Sequence, residues 1–277
     1  MKLIDFDGLF DEKLTQYMEE NKDKHTEKQW ENLIPKLYKK FGDTYIAKIK
    51  CTPKEYYAKM TAEELAQTLS AHLKEDVPVP EFLCEEIESR GAAETLLPLL
   101  QEEDAQTVSY AINLLGDDVR AFDAYFNILI QNRLDEDIRS DVADIFRLHA
   151  DEVKERAYAA YGAGLAQEYM LEILSRVKEK EDRIYDLLLN AFLTADETQS
   201  PMRASYLAAY GDERALTRLL QRIEDKTIGF VEFQELKYAI EALGGEYDEP
   251  RDFSEDKDYI AVEAASSKAM AEGGIKS

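Results

Sequence analysis

The strongest constraint on this chain is a loose internal repeat through its last two-thirds. An apolar helical run ends in Gly, a short acidic step follows, and a second apolar run begins. Val108–Asp117 (VSYAINLLGD) and Met202–Asp212 (MRASYLAAYGD) carry the same pattern. One such helix pair cannot bury both of its apolar faces, so each unit hides one face against the next. The expected architecture is all-α: an α-solenoid of stacked antiparallel helix pairs with an added N-terminal helical module. No segment of useful length alternates with the two-residue period of a strand.

Apolar spacing predicts amphipathic helices over 9–22 and 26–41, and a short third helix around Tyr45, Ile46 and Ile49. Thr52-Pro53 places an N-cap before a first-turn proline, where the missing N–H costs nothing. Thr61-Ala-Glu-Glu64 reads as a capping box. Val77-Pro-Val-Pro80 cannot continue a helix, which places a module boundary there: residues 1–78 as the N-terminal module and 79–246 as the repeat domain. Beyond it, helices are expected at 81–90, 92–102, 104–115, 118–132, 136–148, 151–161, 165–178, 182–194, 201–210, 212–224 and 230–243. Gly91, Gly116, Gly162, Gly211 and Gly244 stand at the ends of apolar runs. Ser200-Pro201 repeats the N-cap and proline signal. The run Tyr185, Leu187, Leu188, Leu189, Ala191 and Phe192 leaves little polar face, as expected of a helix covered on two sides. Residues 247–277 leave the rhythm and read as an acidic, weakly structured C-terminal tail.

Charge narrows the partners. The net charge is −24. It is uneven: residues 1–80 hold 13 lysines against 15 acidic residues, whereas the remainder holds 21 basic against 43 acidic. Such a field repels nucleic acid and anionic membrane surfaces, and it steers a basic partner inward. No stretch approaches the ~20 apolar residues of a membrane span, and the first residues lack the apolar core of a signal peptide. The expected location is cytoplasmic. Cys51 and Cys84 form no CxxC pair and read as reduced thiols. With three histidines at unrelated spacings, no zinc set is assembled.

Three stretches resemble HEAT-type helical repeats: Pro201–Leu220, Val108–Asp117 and Asp137–Phe146. The likeness covers roughly residues 91–244. It implies structural ladders between units, made by a turn aspartate and an inner-helix arginine. Asp117, Asp212, Arg139 and Arg203 hold those positions, while Ser109 stands where another arginine would be. Some families of this kind are enzymes, including base-excising DNA glycosylases and bilin lyases. The glycosylases need a basic groove, the opposite of the charge found here.

No catalytic motif stands out. His149 and His72 fall near helix ends, where a cation suits the dipole, and His25 follows a charged run. The stretch Asp225–Leu236 resembles half of a calcium-binding loop, but Lys226 and Ile228 occupy ligand positions, so it reads as a turn. Neither a metal nor a cofactor is expected. The predicted inner helices carry Tyr110, Asn113, Asp141, Asp144 and Tyr206, aromatics and acids suited to a basic peptide. The expected function is a non-enzymatic scaffold that binds a protein or peptide with a basic surface. One alternative is an acidic inhibitor, of the immunity-protein kind, that shields a basic site; another is an enzyme on a HEAT-like scaffold.

Overall fold

The computed structural model describes residues 3–22 and 24–273. Among them every regular element is helical, and the chain packs as two compact units that divide between Val142 and Ala143.

The first unit holds α1 (Phe6–Glu20), α2 (Glu27–Gly42), α3 (Pro53–Ala58), α4 (Ala62–Lys74), α5 (Glu81–Arg90), α6 (Ala93–Leu96), α7 (Ala105–Leu115) and α8 (Phe122–Gln131); α9 (Glu136–Leu148) contains the division. Three of these helices start in full capping boxes: Thr26 with Gln29, Thr52 with Glu55 and Thr61 with Glu64. Each cap stabilises its helix by about 1 kcal/mol, because two N–H groups with no intrahelical partner are satisfied at once. The helix expected at Tyr45–Ile49 is instead a turn. Lys50 adopts φ 57°, which no right-handed helix accommodates, and the Ile46 N–H meets the Cys51 carbonyl at 3.0 Å.

The core of this unit encloses Phe6, Tyr57, Leu65, Leu69, Leu83 and Leu100. Tyr38 stacks on Phe82 with ring centroids 4.7 Å apart and donates its hydroxyl to Asp7 at 2.5 Å. Helix α4 ends at Lys74, with Asp76 left-handed (φ 53°) before the prolines at 78 and 80, yet packing carries on past them, since α4 lies against α5, α6 and α7. His72 ties the break down: its buried ring sits with Nδ1 2.8 Å from the Pro78 carbonyl oxygen. The break at 78/79 is therefore a corner inside the first unit, and His72 is a core residue rather than a surface cap.

The second unit holds α10 (Ala150–Gly162), α11 (Gln167–Leu174), α12 (Asp182–Leu193), α13 (Ser200–Tyr210), α14 (Leu216–Ile223), α15 (Phe230–Ala242) and α16 (Lys257–Gly273). Helices α10 and α11 pack together, as do α12 and α13, and α14 and α15; α13 also touches both α11 and α15. The most enclosed helix is α11, whose Met170, Leu171, Ile173 and Leu174 are all inaccessible. On α12, by contrast, Leu187 and Leu189 keep part of their surface in solvent. The left-handed residue after α10 is Gly164 (φ 76°), not Gly162.

Residues 247–259 are docked rather than loose. Arg251 lies over the Phe233 ring at 4.8 Å and donates to the carbonyl oxygens of Ile223 and Asp225. Phe253 meets Phe230 and Phe233, and the Asp256 carboxylate accepts the Phe230 N–H at the start of α15. Composition hid this: the segment is acidic overall, but the residues that anchor it are an arginine, aromatics and one aspartate, Asp256.

Candidate interaction surface

The turns that join the helix pairs share one device. Asp212 opens a short 3-10 turn (Glu213–Ala215) and accepts the Arg214 N–H at 3.0 Å, while the Arg214 guanidinium returns to the same carboxylate at 2.6 Å. The free arm of Arg214 reaches Asp182 on α12 at 2.8 Å, and its plane covers the Tyr185 ring at 4.1 Å. One pair earlier Arg183 makes the side-chain part of this device without the backbone cap: it binds Glu181 at 2.7 Å, reaches Glu155 on α10 and lies 5.1 Å over Tyr158. In the first unit Arg120 clasps Asp118 and reaches Glu94 at 2.6 Å. These carboxyls are held below their ordinary range. Arg120 does this for Asp118, Arg214 for Asp212 and Arg183 for Glu155, whereas at Glu181 the Lys154 ammonium acts first and Arg183 second.

Asp118, not Asp117, is the cap, because the acceptor must stand two residues before the arginine and the first turn is one residue longer after its glycine. Arg203 donates to Glu168 on α11 at 2.5 Å and to the Ala191 carbonyl oxygen at 2.9 Å. Arg139 bonds back to the Asp135 carbonyl oxygen in the first turn of its own helix. The link from α9 to α11 is made two turns later, by Arg147 to Glu172.

The proposed partner-binding residues are shared between the two units. Tyr110, Asn113 and Asp141 belong to the first unit, Asp144 and Tyr206 to the second. Tyr110 lines a 160 Å³ cleft with His72 and Gln106, and Asn113 points to solvent. Asp141 and Asp144 are both exposed, a turn apart on α9, but Asp144 is already bound by Arg147. Around Tyr206 the second unit gathers Glu168, Glu172, Arg147 and Arg203; burial, then Glu172 and Glu168, push its phenol well above the ordinary tyrosine value. Asp144, Arg203 and Tyr206 thus meet in one polar cluster, whose arginines partly neutralise its acids.

One polar group escaped sequence reasoning. Glu232, on α15, is 4% exposed. Arg222 from α14 binds it through Nε at 2.7 Å and Nη2 at 3.1 Å, and the Ser200 hydroxyl donates to it at 2.6 Å. Ser200 is accordingly inside α13 rather than its N-cap. Asp196 accepts the Thr198 and Gln199 N–H groups in the preceding turn, which frees the serine hydroxyl for Glu232. A 350 Å³ cleft lies in front, lined by Ser200, Arg218, Arg222 and Asp225 beside Phe192 and Leu193. An acid–base catalyst needs a carboxylate poised in an apolar cleft. Glu232 is instead paired and hydrogen-bonded, the chemistry of a clamp joining α13, α14 and α15.

In the calcium-like stretch, the Asp225 carboxylate accepts the Thr227 N–H and hydroxyl and pairs with Arg222. No three His, Cys, Asp or Glu side chains among the described residues come together as a metal site. No helix among them is long and apolar enough to cross a membrane. No protein-family model, curated protein or solved structure matches this chain.

Proposed function

We propose that this chain is a non-enzymatic interaction protein, built of HEAT-like stacked helix pairs, that binds a protein or peptide with a basic surface. The observation that carries this reading is the use of its cations. Arg120, Arg147, Arg183, Arg214 and Arg222 each hold two carboxylates of the same chain together across helices or turns, and Arg203 ties Glu168 to the Ala191 carbonyl oxygen. The uncompensated acids that make up a net charge of −24 are left facing solvent, Asp137 and Asp141 on α9 among them. A cationic partner therefore meets carboxylates with few competing cations. The stacked-pair reading draws support from α13, which packs on both α11 and α15, and from the arginine ladder that recurs at successive turns.

The test is binding of a lysine-rich peptide to the full chain, read by fluorescence anisotropy. The dissociation constant is expected to rise at least tenfold between about 50 mM and about 300 mM salt, as the attraction is screened. Asp137→Lys with Asp141→Lys is expected to weaken binding further. Binding indifferent to salt and to both substitutions would refute the proposal.

A further inference from the structure

We propose that the groove between α1 and α2 is a docking site for an acidic amphipathic helix of a partner protein. Helix α1 runs for 15 residues but buries only Phe6 and Phe10. Its later turns present Leu14, half-buried, and Tyr17, 38% exposed, to a groove of 210 Å³. Leu37 and Phe41 of α2 form the opposite wall. An apolar trough between two helices is the shape that receives the apolar stripe of a third helix, with anchors at i, i+3 or i+4 and i+7. Its volume lies below the ~300 Å³ at which pockets for small ligands begin, yet it suits one or two side-chain anchors.

Charge selects the occupant. In a chain whose acids outnumber its bases 58 to 34, the only charged residues among the described ones that line this groove are Lys13 on α1 and Lys40 on α2. Lys13 extends over the Phe41 ring at 5.1 Å. Among the described residues neither lysine forms an ion pair. A helix lying in the trough meets one ammonium on each side, so its flanks are acidic where its buried stripe is apolar. This partner is opposite in charge to the one proposed above, and the two sites are tested independently.

The experiment uses the full chain and two labelled peptides of roughly 14 residues, four helical turns. Both carry Leu and Phe at i, i+4, i+7 and i+11; one has Glu on its flanks and the other Lys at the same places. Anisotropy titration is expected to show the Glu peptide binding at least tenfold more tightly than the Lys peptide. Lys13→Glu with Lys40→Glu reverses that preference. The milder pair Lys13→Gln with Lys40→Gln abolishes it while helix content by circular dichroism stays unchanged, which separates lost docking from lost folding. Replacing the Leu and Phe of the Glu peptide by Ser removes binding. Equal affinity for both peptides, a preference untouched by either lysine pair, or a groove-dependent dimer of the chain in sedimentation overturns the proposal.

Discussion

Glu232 offers a test of which side of an ion pair carries the risk. Its carboxylate is 4% exposed, whereas the Arg222 side chain keeps 33% of its surface in water. Arg222→Met removes both guanidinium bonds and leaves the buried anion with only the Ser200 hydroxyl. An unpaired buried charge costs several kcal/mol, so a loss of about 3 kcal/mol is expected. Glu232→Gln leaves the arginine beside Asp225 and solvent, and its neutral amide still accepts from Ser200. That loss is about 1 kcal/mol. The double variant Arg222→Met with Glu232→Gln leaves no charge to strand and returns to within about 1 kcal/mol of the parent, for a coupling of at least ~2 kcal/mol. At a urea slope of about 2 kcal/mol per molar, Arg222→Met lowers the midpoint by about 1.5 M and Glu232→Gln by about 0.5 M. Far-ultraviolet circular dichroism is the appropriate probe, because the single tryptophan, Trp30, lies in the other unit. Equal losses for the two single variants, or purely additive losses in the double variant, would show that Glu232 is not a desolvated anion held by Arg222.

Two predictions follow from titration. Asp118 and Asp212 have carboxyls lowered by Arg120 and Arg214, so their contribution to stability is complete above the ordinary carboxylate range, near pH 4, and is lost as pH falls through the lowered values. Arg214→Ala is therefore expected to move the acid-unfolding midpoint upward, with little rescue by Arg214→Lys, which lacks the two-pronged donor; an unmoved midpoint refutes the ladder's contribution. At the alkaline end, burial raises the phenols of Tyr38, Tyr57, Tyr125 and Tyr206, so the stability they confer is present below about pH 10 and lost above it. Ultraviolet titration of the 16 tyrosines is expected to split into an ordinary wave and a second wave that coincides with loss of helix. A single wave near pH 10 with the helices intact contradicts it.

The helices and their starts were legible because the signals are local. Thr61 and Glu64 lie three residues apart and cap one another in any chain that turns helical there, and the Gly211-Asp212 turn announces itself within two residues. The cap stands one residue further from its glycine in the first unit, Asp118 after Gly116 against Asp212 after Gly211, since an aspartate caps through its distance to the arginine, not its distance to the glycine.

What remained hidden depends on residues far apart in the chain. Ser200 and Glu232 are 32 positions apart, and Arg251 meets the Ile223 carbonyl oxygen across 28. Local sequence reads Ser200 as a cap, places Glu232 only within a calcium-like turn, and puts Arg251 in a loose acidic tail. Only the packing of α13, α14 and α15 makes one a buried clamp and the other a docked strap. Local sequence sets where helices begin, end and turn their apolar faces, because those choices are made within a few residues. Which carboxylate is dried out, which arginine neutralises it and which groove stays open are set by contacts between helices, and those exist only once the chain has folded.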